Sequence, residues 1–213
     1  LRHIQALYNY AVKLEVFDGD NPIVKIERFK LPQRAPEFLT MEEVDALIEA
    51  AENHGRDMHL LFALGIFSGL RKNEIVNARW DWFDFDEKLI RVKSRADFVI
   101  KDNDDRTIPI SARLLTVLTS HAQDDGFLFE TNRPSKGKSS YRYEPRKSFK
   151  AVADAADVSH ATFQLLRHTF GSQHAIAGTS IYKISKWMGH SSVDVTTKHY
   201  AGLQEYDSDI DRF

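Results

Sequence analysis

Two β-branched segments interrupt an otherwise helical sequence near its middle. The segments KLIRVKSRADFVI (residues 88–100) and RTIPI (residues 106–110) flank the polar stretch KDNDD, and this pattern predicts two strands joined by a tight turn. Apolar residues recur at helical spacing on both sides of the strand pair. We therefore expect a mainly α fold with one small antiparallel β-sheet, the α+β class.

Helix signals account for most of the remaining chain. Thr40 and Glu43 form a T-x-x-E capping box ahead of an apolar helix face, and Ser111 is a candidate cap for a later helix. Gly178 and Gly189 stand where two helices are expected to end. The predicted helices after the first cover these ranges: 59–67, 145–156, 163–177, 181–188 and 192–200.

The pattern divides the chain into four parts. Residues 1–20 carry apolar side chains at helical spacing, and the stretch DGDNP then stops the helix. Residues 21–37 show no clear period, which indicates a linker. Residues 38–203 contain the main domain, and residues 204–213 are an acidic tail.

Composition excludes several kinds of site. The 213 residues include no cysteine, so thiolate metal sites and disulfides are ruled out. The histidines form no H-x-x-x-H or H-E-x-x-H pair on one predicted helix, and we expect no metal site. No apolar run approaches the roughly 20 residues that cross a bilayer. A cytoplasmic protein without a membrane segment is the expectation.

Charge is unevenly distributed along the chain. A formal net charge of −2 argues against a nucleic-acid partner, but residues 131–150 hold seven Lys or Arg and one acidic residue. Such a segment can contact DNA phosphates, and a solvated loop is the alternative. The candidate DNA-binding residues are Arg133, Lys136, Lys138, Tyr141, Arg142 and Arg146.

Two arginines at helix positions invite a functional interpretation. Arg71 falls in the first turn of a predicted helix, where an anion is favoured and a lone cation is not. A surface ion pair with Glu74 is the alternative. Arg167 lies beside an apolar helix face, where an arginine usually extends its head to solvent. Neither residue decides the function alone.

The motifs SGLRKNEI, RTIPI, LLRHTFGSQ, WMGHSS and KHYAGL together resemble, in order and spacing, the tyrosine recombinase (phage integrase) family. The resemblance covers residues 38–203 and implies the catalytic domain of that family. It also implies that residues 1–20 are the last helix of a truncated core-binding domain.

The resemblance assigns a role to each matching residue. Arg71 and Arg167 match the two catalytic arginines, His190 matches the His/Trp position, and Tyr200 matches the nucleophile. Lys101 matches the catalytic lysine through the spacing K-x-x-x-x-R-x-I-P. Lys93 is the alternative, and choosing it would imply a longer hairpin turn.

Two departures from the family pattern affect this assignment. Gln164 occupies the position of the usual histidine; glutamine can donate a hydrogen bond to a phosphate but cannot transfer a proton. The gap from His190 to Tyr200 is one residue longer than usual and places His199 at the usual position. One extra helical residue would rotate the tyrosine by about 100°, so we expect a turn to absorb it.

The resemblance implies a site-specific DNA recombinase that cleaves and rejoins strands through a 3′-phosphotyrosyl intermediate, without metal, cofactor or ATP. The implied partners are double-stranded DNA, a homo-tetramer on that DNA and accessory DNA-bending proteins. The implied setting is DNA-associated, in a bacterium or encoded by a phage. A catalytically weakened DNA-binding relative and a helical protein-interaction domain are the alternatives.

Overall fold

The computed structural model describes residues 1–27, 37–95, 98–99, 105–129 and 143–204. The chain divides into two compact units, Leu1–Arg34 and Ala35–Phe213. The first unit contains helix α1 (Arg2–Lys13) and a 3₁₀ turn, Pro22–Lys25. Asn21 caps that turn and also donates its side-chain amide to the Gln5 carbonyl at 2.9 Å. This hydrogen bond ties the turn to α1.

The second unit contains most of the helices. They are α2 (Met41–His54), α3 (Arg56–Ser68), α4 (Lys72–Val76), α5 (Ala112–Ser120), α6 (Arg146–Ala155), α7 (Phe163–Ile176), α8 (Ile181–Met188) and α9 (Val193–Tyr200). The expected capping box of α2 is confirmed, because Thr40 and Glu43 each bond the backbone N–H of the other. The Ser111 cap is confirmed as well. Within the described ranges, no helix has the length and apolarity that crossing a membrane requires.

A three-stranded antiparallel sheet lies between α4 and α5 in the chain. Its order is β1 (Phe83–Asp84), β2 (Leu89–Val92) and β3 (Arg106–Pro109). The expected α+β class is confirmed. The expected strand over residues 88–100 and the tight turn after it are wrong, since β2 ends at Val92, opposite Arg106. Beyond Val92, the structure describes an isolated antiparallel bridge between Arg95 and Phe98.

Helix α3 forms the centre of the second unit. Its residues from Met58 to Ile66 are all buried, and it packs against α2, α5 and α7. Gly65 allows a close approach of α3 to α7, since a Cβ atom there would lie 2.8 Å from Leu166 Cδ1. Burying each large aliphatic side chain contributes about 1.5–3 kcal/mol. This packing places the turn that follows α3 against α7, where Gly69 lies next to Phe170.

Candidate active site

The turn between α3 and α4 presents Arg71. Gly69 ends α3 in the left-handed region with φ 62°, and a Cβ there would lie 2.5 Å from Phe170 Cδ1. Glycine therefore satisfies both the backbone angle and the close approach. Leu70 is fully buried and anchors the turn. Arg71 then occupies the N-cap of α4, with its backbone N–H donating to Glu74 Oε2 at 2.7 Å.

Glu74 is a buried carboxylate between two arginines. It accepts from Arg71 Nη1 at 3.1 Å and from Arg106 at 2.9 and 2.6 Å. The side chains of Glu74 and Arg106 are only 3 and 4% exposed. Burial raises the pKa of Glu74, but the hydrogen bonds and positive charge of Arg106, followed by those of Arg71, lower it more, and its pKa falls below the usual value. Glu74 is therefore ionised at neutral pH.

Arg71 and Arg167 converge at the C-terminal end of α8. Arg167 lies on α7 and donates to the carbonyls of Gly69 and Met188. Arg71 donates to the carbonyl of Gly189, the next residue along the chain. Helix C-terminal carbonyls carry partial negative charge. These carbonyls therefore hold two guanidiniums close together, although the two arginines lie far apart in the sequence.

We call Arg71, Glu74, Arg106 and Arg167 the arginine cluster. It contains three guanidiniums and one carboxylate, so its charge is in positive excess. Burial, followed by repulsion from Arg71, lowers the pKa of Arg167 to about 9. A bound anion would relieve both effects, since it would add negative charge beside a partly desolvated guanidinium.

His190 lies next to the cluster. It follows Gly189, which ends α8 with φ 64° and leaves no room for a side chain, because a Cβ would lie 3.0 Å from Arg106 Nη1. His190 Nδ1 is 2.7 Å from the hydroxyl of buried Thr196. Burial, followed by the charges of Arg167 and Arg71, lowers the pKa of His190 to about 4. The imidazole is therefore neutral at pH 7.

Tyr200 is the last residue of α9 and is only 1% exposed. Its hydroxyl lies 2.7 Å from His168 Nδ1 on α7. Burial raises the pKa of this phenol to about 12, and the charge of Arg167 offsets part of the rise. Its ring packs against Gly171, where a Cβ would be 2.6 Å from Tyr200 Cζ. His199 is exposed on another side of the helix.

The spacing between His190 and Tyr200 is accommodated by a turn. Gly189 ends α8 and Ser192 caps α9, so residues 190–192 are not helical. The extra residue therefore need not rotate α9 as a continuous helix would.

Gln164 and His168 lie one turn apart on α7. Gln164 is exposed, and its Nε2 is 3.2 Å from His168 Nε2. The imidazole of His168 thus contacts Gln164 through one nitrogen and Tyr200 through the other. Burial, then the charges of His199 and Arg167, lowers the pKa of His168 below its ordinary value.

The two candidate lysines remain alternatives. Lys101 lies outside the described residues. Lys93 is exposed and directly follows β2. Since β2 and β3 stop pairing at Val92 and Arg106, the connection between them is longer than the tight turn expected from the sequence.

Most of the basic segment also falls outside the described residues; this applies to Arg133, Lys136, Lys138, Tyr141 and Arg142. Arg146 begins α6, has an 80% exposed side chain, and its Nε lies 3.3 Å from Glu144 Oε1. For the ranges that are described, no three His, Cys, Asp or Glu residues are grouped as metal ligands would be.

The sequence did not predict that four further residues contact the candidate site residues: Glu74, Arg106, His168 and Thr196. The alternative of an exposed Arg71–Glu74 ion pair is wrong. The two side chains do pair, but Glu74 is buried and also accepts from Arg106. A signal existed for Arg106. It shares the inward face of β3 with Ile108, and a charged residue at an inward strand position needs a buried partner.

A family model and individual tyrosine recombinases both match this chain in sequence. The model of the phage integrase family matches residues 37–206. Tyrosine recombinase XerA of Pyrococcus horikoshii is 30% identical over 210 residues, which are 92% of this chain and 69% of that protein.

Two solved structures illustrate the shared fold. The catalytic domain of bacteriophage HP1 integrase has a TM-score of 0.62 at 22% identity, covering 82% of this chain and 90% of that one. The Tn1549 transposon integrase in complex with transposon right end DNA has a TM-score of 0.68 at 18% identity, covering 99% of this chain and 76% of that one. With the family match extending over most of its length, the chain belongs to the phage integrase family of tyrosine recombinases.

Proposed function

We propose that residues 38–203 are the catalytic domain of a site-specific DNA recombinase, which cleaves and rejoins strands through a 3′-phosphotyrosyl intermediate. The observation that carries this proposal is the convergence of Arg71 and Arg167 on neighbouring carbonyls, with surplus positive charge beside Tyr200. A DNA phosphodiester is an anion of the size that such a cluster would bind.

The arginines would stabilise the transition state. The two non-bridging oxygens of a phosphodiester gain charge as the phosphorus becomes pentacoordinate, and Arg71 and Arg167 would each donate to them. A guanidinium has five N–H donors, more than the contacts to backbone carbonyls use. Preorganised donors of this kind lower a barrier by about 3 kcal/mol each.

His190 would add a neutral donor to the same phosphate. If the Thr196 hydroxyl donates to Nδ1, the proton of the imidazole resides on Nε2, which can then donate to a phosphate oxygen. A neutral imidazole is favoured because burial, followed by the charges of Arg167 and Arg71, lowers its pKa to about 4.

Bond changes would follow a simple in-line displacement. The Tyr200 hydroxyl gives its proton to a nearby acceptor as its oxygen bonds to phosphorus, and the bond from phosphorus to the 5′ oxygen breaks with its electron pair on that oxygen. Lys101, or Lys93 in its place, would supply the proton that the 5′ oxygen takes up. The 3′-phosphotyrosyl link retains the bond energy, so a 5′ hydroxyl of another strand can reverse the step without ATP.

Tyr200 must change its surroundings before it attacks. A side chain that is 1% exposed cannot contact a DNA phosphate. We infer that α9 shifts slightly when DNA binds, enough to open the surroundings of the Tyr200 hydroxyl while its contact with His168 is kept. This helix is short, and the non-helical residues 190–192 before it can act as a hinge.

Partners and setting follow from the same proposal. Relatives solved with DNA, such as the Tn1549 integrase, support double-stranded DNA as the substrate. Candidate phosphate contacts are Arg133, Lys136, Lys138, Tyr141, Arg142 and Arg146. A homo-tetramer on DNA, accessory DNA-bending proteins and a DNA-associated location in a bacterium or phage-infected cell are part of the proposal.

Trapping the covalent adduct tests the proposed function. Duplexes enriched by binding from a random-sequence pool, and nicked beside each candidate phosphate, are incubated with the protein in EDTA. We expect an SDS-stable protein–DNA adduct that Tyr200→Phe abolishes and His199→Asn retains. DNA binding without any adduct would favour the catalytically weakened relative, and no binding at low salt would favour the interaction domain.

A further inference from the structure

The structure brings an acceptor to the Tyr200 hydroxyl that the sequence did not identify. We propose that His168 accepts the phenolic proton of Tyr200 during strand cleavage, a role that Gln164 cannot fill at the position usually held by histidine. The inference rests on the proposed function, since it assigns a proton acceptor to that reaction.

Geometry favours His168 for this role. Its Nδ1 lies 2.7 Å from the Tyr200 hydroxyl, within the range for a strong hydrogen bond. This is the side-chain hydrogen bond that the structure describes for that hydroxyl. The contact joins α7, which carries Arg167, to α9, which carries the nucleophile. The base and the phosphate-binding arginine are thus adjacent in sequence.

The second nitrogen of His168 offers a route for the proton to leave. Nε2 is 3.2 Å from the amide of Gln164, and Gln164 is exposed. A half-turn of that amide exchanges its donor and acceptor, so Gln164 can stabilise either tautomer of His168. With Nε2 protonated and facing the Gln164 oxygen, Nδ1 has the lone pair that the phenol proton requires.

Electrostatics agrees with a neutral acceptor. The charged and titratable groups that face His168 are Arg167 on its own helix and His199 and Tyr200 on α9. Burial, followed by the charges of His199 and Arg167, lowers the pKa of His168, so its lone pair is available at neutral pH. Burial raises the pKa of Tyr200 to about 12, so the phenol is protonated at neutral pH and needs an acceptor for its proton when it attacks.

The step is balanced within the groups named. The O–H bond of Tyr200 breaks, and its proton goes to His168 Nδ1, which becomes an imidazolium. The freed electron pair of the phenol oxygen forms the bond to phosphorus. The 5′ oxygen departs with the electron pair of its own bond to phosphorus and takes a proton from the lysine. Rejoining reverses each transfer.

His168→Asn tests this assignment, with His160→Asn as the matched control on an exposed histidine. General bases contribute about 10²–10⁴-fold. We expect His168→Asn to slow adduct formation on the nicked duplex by at least 100-fold, with DNA affinity unchanged and the control at the wild-type rate. His168→Gln serves as the second variant if the first unfolds early in a thermal melt.

A substrate with sulfur in place of the 5′ bridging oxygen separates base from acid. The thiolate leaves without a proton, so this substrate should restore cleavage by the alanine variant of the acid lysine, Lys101→Ala or else Lys93→Ala, but not by His168→Asn. Cleavage by His168→Asn within threefold of wild type, or its full rescue by the sulfur substrate, would overturn the proposal. Absence of a Tyr200-dependent adduct in the wild-type protein would instead overturn the proposed function.

A spectroscopic measurement tests the contact without activity. The ¹⁵N resonances of the His168 imidazole are compared in the wild-type protein and in Tyr200→Phe. We expect the Nδ1 resonance to move when the phenol hydroxyl is removed. Identical imidazole resonances in the two proteins would refute the hydrogen bond and, with it, the assignment.

Discussion

The arginine cluster and the tyrosine pocket, which consists of Tyr200, His168, Gly171 and Met188, hold their functional groups in different ways. In the cluster, charged hydrogen bonds fix each guanidinium to two or more acceptors. In the pocket, Tyr200 has close packing and one described hydrogen bond, to a neutral imidazole.

This difference indicates that the arginine cluster is preorganised and that Tyr200 is the group that moves. A buried carboxylate shared by two arginines is costly to disturb, because either loss leaves an uncompensated charge. A phenol held by packing and one hydrogen bond can shift within its pocket at a smaller cost. The phosphate-binding groups are therefore expected to stay in place while the nucleophile moves.

The largest expected effect is on stability, from Glu74→Gln. This change leaves Arg106 buried without a counter-charge, and breaking a buried pair costs about 3–5 kcal/mol. Urea unfolding measures the loss. The matched control is Asp45→Asn, which removes the exposed partner of Arg113 and should cost less than about 1 kcal/mol. Equal losses of unfolding free energy in the two variants would mean that the buried cluster contributes no more stability than an exposed ion pair.

Arg167→Lys tests the fork geometry of the cluster. Lysine keeps the charge but cannot reach the carbonyls of Gly69 and Met188 together in the planar arrangement of a guanidinium. We expect cleavage of the nicked duplex to fall on the order of 10²–10³-fold. Arg113→Lys, on an exposed arginine, is the control. A loss below fivefold would show that charge alone is sufficient.

Gly171→Ala tests how tightly the pocket holds the nucleophile. The added methyl would lie 2.6 Å from Tyr200 Cζ and 3.0 Å from Met188 Sδ. We expect a destabilisation of about 1–3 kcal/mol and faster hydrogen exchange over residues 193–203. Gly202→Ala, where a Cβ meets nothing within 4 Å, is the control. Unchanged exchange in Gly171→Ala would contradict a displaceable α9.

The smallest effect is the pH dependence contributed by His190. Its folded pKa of about 4 is below the ordinary value of about 6.5, so between these values the unfolded chain binds a proton that the folded chain does not. Stability therefore falls as the pH drops from about 6.5 towards 4. His190→Asn should reduce that slope by less than one proton, as measured by urea unfolding at several pH values.

Local signals in the sequence predicted the helices well and the sheet less well. The Thr40–Glu43 box and the glycines at 178 and 189 act within a few residues, so their effect can be anticipated without knowing the fold. The end of β2 depends on where its partner strand stops pairing, at Arg106. The β-branched residues beyond Val92 continue the strand pattern, so the sequence did not predict this end.

The candidate site was predictable in part. The arginines, His190 and Tyr200 were identified by motif, and the structure brings Arg71 and Arg167 to one helix end. Their catalytic roles stay predictions. The burial of Glu74 and the contact between His168 and Tyr200 could not be anticipated, because both depend on packing between helices distant in the chain.

By itself, the sequence determined where helices begin and end, which residues carry charge, and the family to which their order belongs. Tertiary structure alone decided that Arg106 shares Glu74 with Arg71, and that Tyr200 faces His168 rather than solvent. The reason is physical. Caps and periodicity are short-range, whereas the strength of an ion pair or a hydrogen bond depends on how much water the surrounding packing excludes.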